Sequence, residues 1–172
     1  LESIVNTTDE WITERTGIQE RRVSSHDETS VDMAYQASID AINKSGIKRE
    51  EIGAIFLATC TPERKFPSTA VLLQNRLNIK NAFSVDLNAA CTGFVYALDI
   101  AKKYIESEQV KYALVVGTEK ITSLLDWTDR NTCVLFGDGA GAMIVSASDT
   151  PGVLSSTIAV SYTHLTLPTS TH

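Results

Sequence analysis

Ser84-Val85-Asp86-Leu87-Asn88-Ala89-Ala90-Cys91-Thr92-Gly93-Phe94 is the stretch around which the rest of this chain is read. A strand-like run ends near Leu87, and two alanines follow, small enough for a tight turn. Beyond them Phe94, Val95, Ala97, Leu98, Ala101, Tyr104 and Ile105 recur at helical spacing. Cys91 to Leu98 is apolar nearly all round, which predicts a buried helix with the thiol at or near its first turn. Unpaired N–H groups and the positive dipole end of a helix stabilise an anion there. A free thiol ionises near pH 8.5 or so, and helix N-termini commonly lower that value. Thiolate is the attacking form, so the placement reads as a nucleophile. The competing reading is a buried cysteine that only fills space. The order strand, small, small, Cys, any residue, Gly, helix favours the nucleophile. Gly93 has no side chain, so a substrate or another backbone can come close.

On the N-terminal side, Ile52 to Cys60 is a nearly continuous apolar run, as in a parallel strand buried on both faces. The turn Thr61–Pro67 ends it, and Ser68 caps a helix to Leu77. Phe66 stands between polar and proline residues, which fits an exposed interface anchor or pocket wall as well as local packing under the loop. A helix over Thr29–Ser45 has Asp32 in its first turn and Lys44 and Gly46 at its end. An earlier short helix starts at Thr7 or Thr8 and stops at Gly17. Trp11 and Arg15 share one face of it, four residues apart. A flat aromatic beside a cation can grip a nucleotide base or phosphate; a half-buried Trp on a surface helix fits the same pair. Arg21 and Arg22 read as solvated.

Further along, Ala82–Leu87 and Val110–Gly117 are strands, and Thr118–Trp127 reads as a short helix and loop. Gly137-Asp138-Gly139-Ala140-Gly141 reads as a tight turn crowding the site, before a strand at Ala142–Ala147. Its spacing matches neither the phosphate-loop nor the dinucleotide fingerprint. Val153–Val160 is a candidate last strand. Strands alternate with helices over short connections, so the fold class is α/β with a largely parallel sheet covered on both faces. In such sheets, sites gather at the carboxyl ends of strands, and Cys91 lies just past one.

The 172 residues, 43% hydrophobic and 21% charged, suit one globular domain with a real core. A net charge of −6 argues against general nucleic-acid affinity. No apolar run reaches the length of a membrane span, so no membrane partner is expected. The chain starts at Leu1 rather than Met, which leaves room for an upstream segment. Cys60, Cys91 and Cys133 are an odd, widely spaced set, neither a disulfide framework nor a zinc pattern, so no metal is expected. A reducing cytoplasm is the natural compartment. From Pro151 to His172 there is no Asp, Glu, Lys or Arg, a break in composition.

Five motifs occur together and in order: Thr7-Thr8-Asp9-Glu10-Trp11-Ile12, Arg15-Thr16-Gly17-Ile18, Ala89-Ala90-Cys91-Thr92-Gly93-Phe94, Asp126-Trp127-Thr128-Asp129-Arg130-Asn131 and Phe136-Gly137-Asp138-Gly139-Ala140-Gly141-Ala142. The set resembles bacterial β-ketoacyl-acyl-carrier-protein synthase III, of the thiolase superfamily, from about Ile4 to Ser156. That resemblance implies a thiolase-like layered αβαβα fold made of two similar halves. Residues 1–160 look like the N-terminal half, with the family's first strand expected before Leu1. Residues 161–172 no longer follow the family and resemble translated vector or adapter sequence. The family's catalytic His and Asn belong to its second half, and His26, in a polar loop, does not match that His.

The resemblance implies an acyltransferase performing a decarboxylating Claisen condensation that initiates fatty-acid synthesis. Cys91 would take the acyl group from acetyl-CoA or another short acyl-CoA, and malonyl-acyl-carrier protein would supply the attacking carbanion. By matching positions, Trp11 and Arg130 would sandwich the CoA adenine, with Thr7 and Arg15 on the same nucleotide and phosphate face. Phe66 would reach across a homodimer into the partner's acyl pocket, and Ile121 would wall that pocket. No cofactor is implied, since the CoA thioester is a substrate. The alternatives are a hydroxymethylglutaryl-CoA or polyketide starter synthase of the same fold, or a non-catalytic acyl-CoA-binding half-fold exposing a large apolar surface.

Overall fold

The computed structural model describes residues 1–150 and 152–159. At its centre is strand β1 (Ile52–Ala58), flanked by β2 (Phe83–Leu87) and β3 (Tyr112–Lys120), with β4 (Asp138–Ser146) beyond β3. The first three strands are parallel; β4 runs antiparallel to β3. Side chains alternate across a strand, so β1 feeds two cores. Ile55 and Leu57 face helices α2 (Ser30–Ser45) and α3 (Thr69–Arg76), while Ala54, Phe56 and Ala58 face helix α4 (Gly93–Glu106). The result is a helix–sheet–helix sandwich, with every β1 residue except Gly53 buried. An irregularity in pairing with β3 between Ile52 and Ala54 puts Ile52 in the α2 core beside Ile55.

The helix ends follow local chemistry. Helix α1 (Asp9–Thr16) is capped by Thr8, whose hydroxyl accepts from the Trp11 N–H, and Gly17 closes it in the left-handed conformation. Helix α2 has a reciprocal capping box: Asp32 accepts from the Thr29 N–H, and Thr29 Oγ1 accepts from the Asp32 N–H. The Thr29 hydrogen bond and the Arg76 ion pair hold the Asp32 carboxyl down to about 2. Helix α3 is capped twice, by Ser68 and by Asp86 of β2, which accepts from the Thr69 and Ala70 N–H groups at 2.8 and 2.6 Å. That bond fixes the strand leading to Cys91 onto the α3 layer.

Several expectations are corrected. Strand β3 does not end at Gly117 but runs on to Lys120, followed by a 3-10 turn at Ile121–Ser123. The glycine-rich segment is not a turn: β4 begins at Asp138, and Gly139 and Gly141 pair with Glu119 and Gly117. Small residues read as a turn by composition, but here they sit in a ladder with their main chain paired. Residues 152–159 carry no strand, and Ser156 instead donates to Asp99 of α4; Val160 and the tail from Ser161 lie outside the described residues.

The apolar start of α4 is not fully enclosed either, since Val95 is 49% exposed. Only the Ala97, Ala101 and Ile105 face meets the sheet. The sheet itself is covered on both faces only at its centre, since β2 is half-exposed along its length. No helix among the described residues is long and apolar enough to cross a membrane.

Candidate active site

Cys91 is delivered by the expected route. After Leu87 the chain passes Asn88 and Ala89, and Ala90 takes a left-handed φ of 46°. This region disfavours a residue with a Cβ, typically by about 1–2 kcal/mol. Cys91 is the middle residue of the resulting 3-10 turn, Ala90–Thr92, and is exposed. Thr92 bonds back to the Ala89 carbonyl through both its N–H and its hydroxyl. Helix α4 then starts at Gly93. A Cβ there would lie 3.1 Å from the Ala58 Cβ, so the glycine admits the end of β1 rather than a ligand. Gly117 does the same for Phe94, whose ring would lie 3.2 Å from an added Cβ.

The thiol opens onto a largely apolar cavity of about 380 Å³. Phe94, Ile121, Phe136 and the glycine-rich start of β4 wall it. Ile121, expected at an acyl pocket, is therefore beside Cys91. Asp138 sets this wall. It accepts from the Thr122 N–H and hydroxyl at 2.9 and 2.6 Å, and from the Ser24 N–H and hydroxyl at 2.8 Å each. Burial works against its ionisation, but the hydrogen bonds from Thr122 and Ser24 outweigh burial and hold the carboxyl below its ordinary range.

The polar side of the cavity went unread in the sequence. Glu119, beyond Gly117 on β3, accepts from the Cys60 N–H at 2.8 Å, the Cys60 thiol at 3.3 Å and the Thr61 hydroxyl at 2.6 Å. Both Cys60 and Glu119 line the cavity that holds Cys91. Burial first, then the Glu119 hydrogen bond and charge, push the Cys60 thiol up. The signal lay in adjacency: Cys60 and Glu119 each follow the apolar centre of a strand, and parallel strand ends meet at one edge. Placing Glu119 in a helix and loop hid it.

A second cluster lies on α1 and helix α5 (Arg130–Cys133). Trp11 has the Arg15 guanidinium 4.5 Å and the Arg130 guanidinium 3.9 Å from its ring centroid. The Arg130 contact is direct stacking, with no gap of base thickness between the two groups. Thr7 is buried rather than on an open face, and its hydroxyl and Arg130 Nε have no hydrogen-bond partner among the described residues. None of these residues lines the Cys91 cavity. Phe66 is 85% exposed and stands apart from both clusters. Arg21 is corrected from solvated: its Nε donates to the Val134 carbonyl at 2.7 Å and its Nη2 to the Ile18 carbonyl, tying the first loop to the end of α5. His26 is fully out in solvent beside Asp27. Among the described residues no group of three or more His, Cys, Asp or Glu could hold a metal ion.

An exposed cysteine between a parallel strand and a helix, facing an apolar cavity on a mixed α/β sheet, is the arrangement of a thiolase-like half-fold. The family model for 3-oxoacyl-[acyl-carrier-protein] synthase III matches residues 85–161. A β-ketoacyl-[acyl-carrier-protein] synthase III of Xanthomonas euvesicatoria is 52% identical over 155 residues, which is 90% of this chain and 48% of that protein. The crystal structure of the Aquifex aeolicus synthase III superposes with a TM-score of 0.84 at 52% identity, covering 87% of this chain and 48% of that one. A priming β-ketosynthase of a polyketide pathway superposes equally, at 0.84, with 41% identity and 45% of its length covered. The chain is thus similar to the N-terminal half of β-ketoacyl-[acyl-carrier-protein] synthase III. It spans about half the length of the curated relatives it matches.

Proposed function

We propose that Cys91 is the acyl-accepting nucleophile of a β-ketoacyl-[acyl-carrier-protein] synthase III. The observation that carries this reading is an exposed thiol at a strand's carboxyl end, opening on a small, largely apolar cavity beside Ile121. The Cys91 thiolate attacks the carbonyl carbon of acetyl-CoA or another short acyl-CoA. CoA leaves as its thiolate, and the acyl group stays on Sγ. The Cys91 N–H donates to the oxyanion formed on the way. The methyl end of the acyl group lies against Ile121 and Phe94. Malonyl-acyl-carrier protein then loses carbon dioxide, its carbanion attacks the acyl-Cys91 carbonyl, and the thiolate is released with the 3-ketoacyl product.

Trp11, Arg15, Arg130 and Thr7 form the CoA nucleotide face. A base enters between Trp11 and Arg130 only when the guanidinium moves off the ring. Exposed Phe66 suits a role at a partner subunit's pocket in a homodimer. The enzyme needs no cofactor beyond its thioester substrate and works in the cytoplasm. The priming-ketosynthase neighbour supports a second reading, polyketide chain initiation, which differs in primer and carrier protein but not in the Cys91 step.

The test is intact mass after incubation with acetyl-CoA. An acetyl adduct lost in Cys91→Ala is expected, and a folded chain that takes no acyl group overturns the reading. His26, the only histidine among the described residues, is exposed and lines no part of the Cys91 cavity. The chain spans about half the length of its curated relatives, and we expect the 172 residues to accept the acyl group but to form no ketoacyl product. Detectable product from the purified chain would overturn that expectation.

A further inference from the structure

We propose that Cys60 and Cys91 are a peroxide-responsive dithiol pair that closes into an intramolecular disulfide within the cavity. Their closeness follows from the strand pairing. β1 and β2 are neighbours, and the Thr59 N–H bonds to the Leu87 carbonyl at 3.1 Å where both strands end. Ala58 then packs against Gly93, and the two cysteines lie two residues beyond Ala58 and two before Gly93. Both cysteines line the same cavity. A disulfide requires Cα atoms within roughly 4.4–6.8 Å, a span that adjacent strand ends about 4.8 Å apart can meet. Cys133, in contrast, is fully buried in a separate cluster with Val5, Ile12 and Val134.

The two thiols divide the chemistry. Exposed Cys91 meets the oxidant, because sulfenic acid formation follows exposure and thiolate character. Its thiolate attacks one peroxide oxygen, an S–O bond forms, the O–O bond breaks and hydroxide leaves. Cys60 is held protonated against Glu119 and is the resolving partner. Its proton passes to the Glu119 carboxylate as its sulfur attacks Cys91 Sγ. The S–S bond forms, the S–O bond breaks, and the departing hydroxide takes up a proton as water. The net change is two thiols and one hydrogen peroxide to one disulfide and two waters. Closure masks the nucleophile reversibly and keeps it from irreversible sulfinic acid.

The proposal rests on the nucleophilic reading of Cys91 and on nothing in the condensation step. The purified chain is treated with stoichiometric hydrogen peroxide, its free thiols are blocked with N-ethylmaleimide after denaturation, and its mass and peptide map are read with and without dithiothreitol. Loss of two alkylatable thiols, a dithiothreitol-reversible Cys60–Cys91 peptide and an alkylated Cys133 are expected. Cys60→Ser and Cys60→Ala should each raise the fraction of Cys91 sulfinic acid several-fold, with thermal melts confirming that both fold.

Peroxide-stable thiols, Cys91 sulfinic acid beside alkylatable Cys60, or links involving Cys133 or a second chain would each overturn the pairing. Acetyl-CoA labelling in parallel separates the two ideas. An adduct without a disulfide sinks the pairing alone; a disulfide without an adduct sinks the acyl-transfer reading alone.

Discussion

Two thiols end up at one edge of the same sheet, each just past a strand, and their surroundings differ. Cys60 lies in a bend two residues past β1 and is caught at once by Glu119, half-buried and hydrogen-bonded. Cys91 leaves β2 through the left-handed Ala90 and stands exposed at the mouth of α4 with no carboxylate among the groups bonded to it. Position at a strand's end gives access to the site; the turn that follows and the neighbour across the sheet decide what the thiol can do. The contrast in exposure and bonding supports the proposal that Cys91 rather than Cys60 is the nucleophile.

The largest effect that could break this contrast is on acylation. Cys91→Ala should abolish the acetyl adduct, while Cys60→Ala should retain it; mass spectrometry after acetyl-CoA exposure reads both. Equal loss in the two variants would erase the distinction. Next comes the shared wall. Asp138→Ala removes the acceptor of four hydrogen bonds, and bonds to a charged group contribute about 1.5–3 kcal/mol each at most. We expect a loss of about 2–3 kcal/mol by urea unfolding, with slower acylation as Ile121 loses its support. Because the folded Asp138 carboxyl is held below its ordinary range, its contribution is present above the unfolded value and fades as pH falls through the folded one.

A smaller effect sharpens the contrast between the thiols. Glu119→Gln removes the charge that helps raise Cys60, so more thiolate forms at a given pH. Iodoacetamide should then label Cys60 a few-fold faster near pH 8, with burial, the larger cause, still slowing it. Unchanged labelling would mean that burial alone sets the Cys60 thiol. The smallest effect is on the α2 cap, where Asp32 bonds to Thr29 and Arg76 and to neither thiol. Asp32→Ala breaks the α2 capping box and should cost about 1 kcal/mol in thermal or urea unfolding, leaving the ratio of thiol reactivities unchanged. In the unmodified chain the Asp32 contribution is complete above its ordinary value near 3.8 and is lost as pH falls toward about 2, measurable as acid-range destabilisation that the variant lacks.

Local sequence determined a good deal of this protein. The caps Thr8, Thr29 and Ser68 and the stops Gly17 and Gly46 fixed helix ends, because those signals act over a single turn. The continuous apolar run of β1 declared a strand buried on both faces, and small residues around Cys91 declared the turn that presents it. Trp11 and Arg15 were set on one helix face by their spacing alone, and they stack.

Tertiary structure decided the rest, and in each case the partner was distant in sequence. The glycines after Asp138 are strand because β3 supplies a ladder for them, which local composition does not encode. The open side of α4 follows from how many layers meet it, not from its own apolar pattern. Arg130 reaches Trp11 across more than half the chain. Cys60, Glu119 and Cys91 share one cavity only because parallel pairing aligns the ends of β1, β2 and β3. A side chain's neighbours through space set its charge, exposure and reactivity, and no local signal carries them.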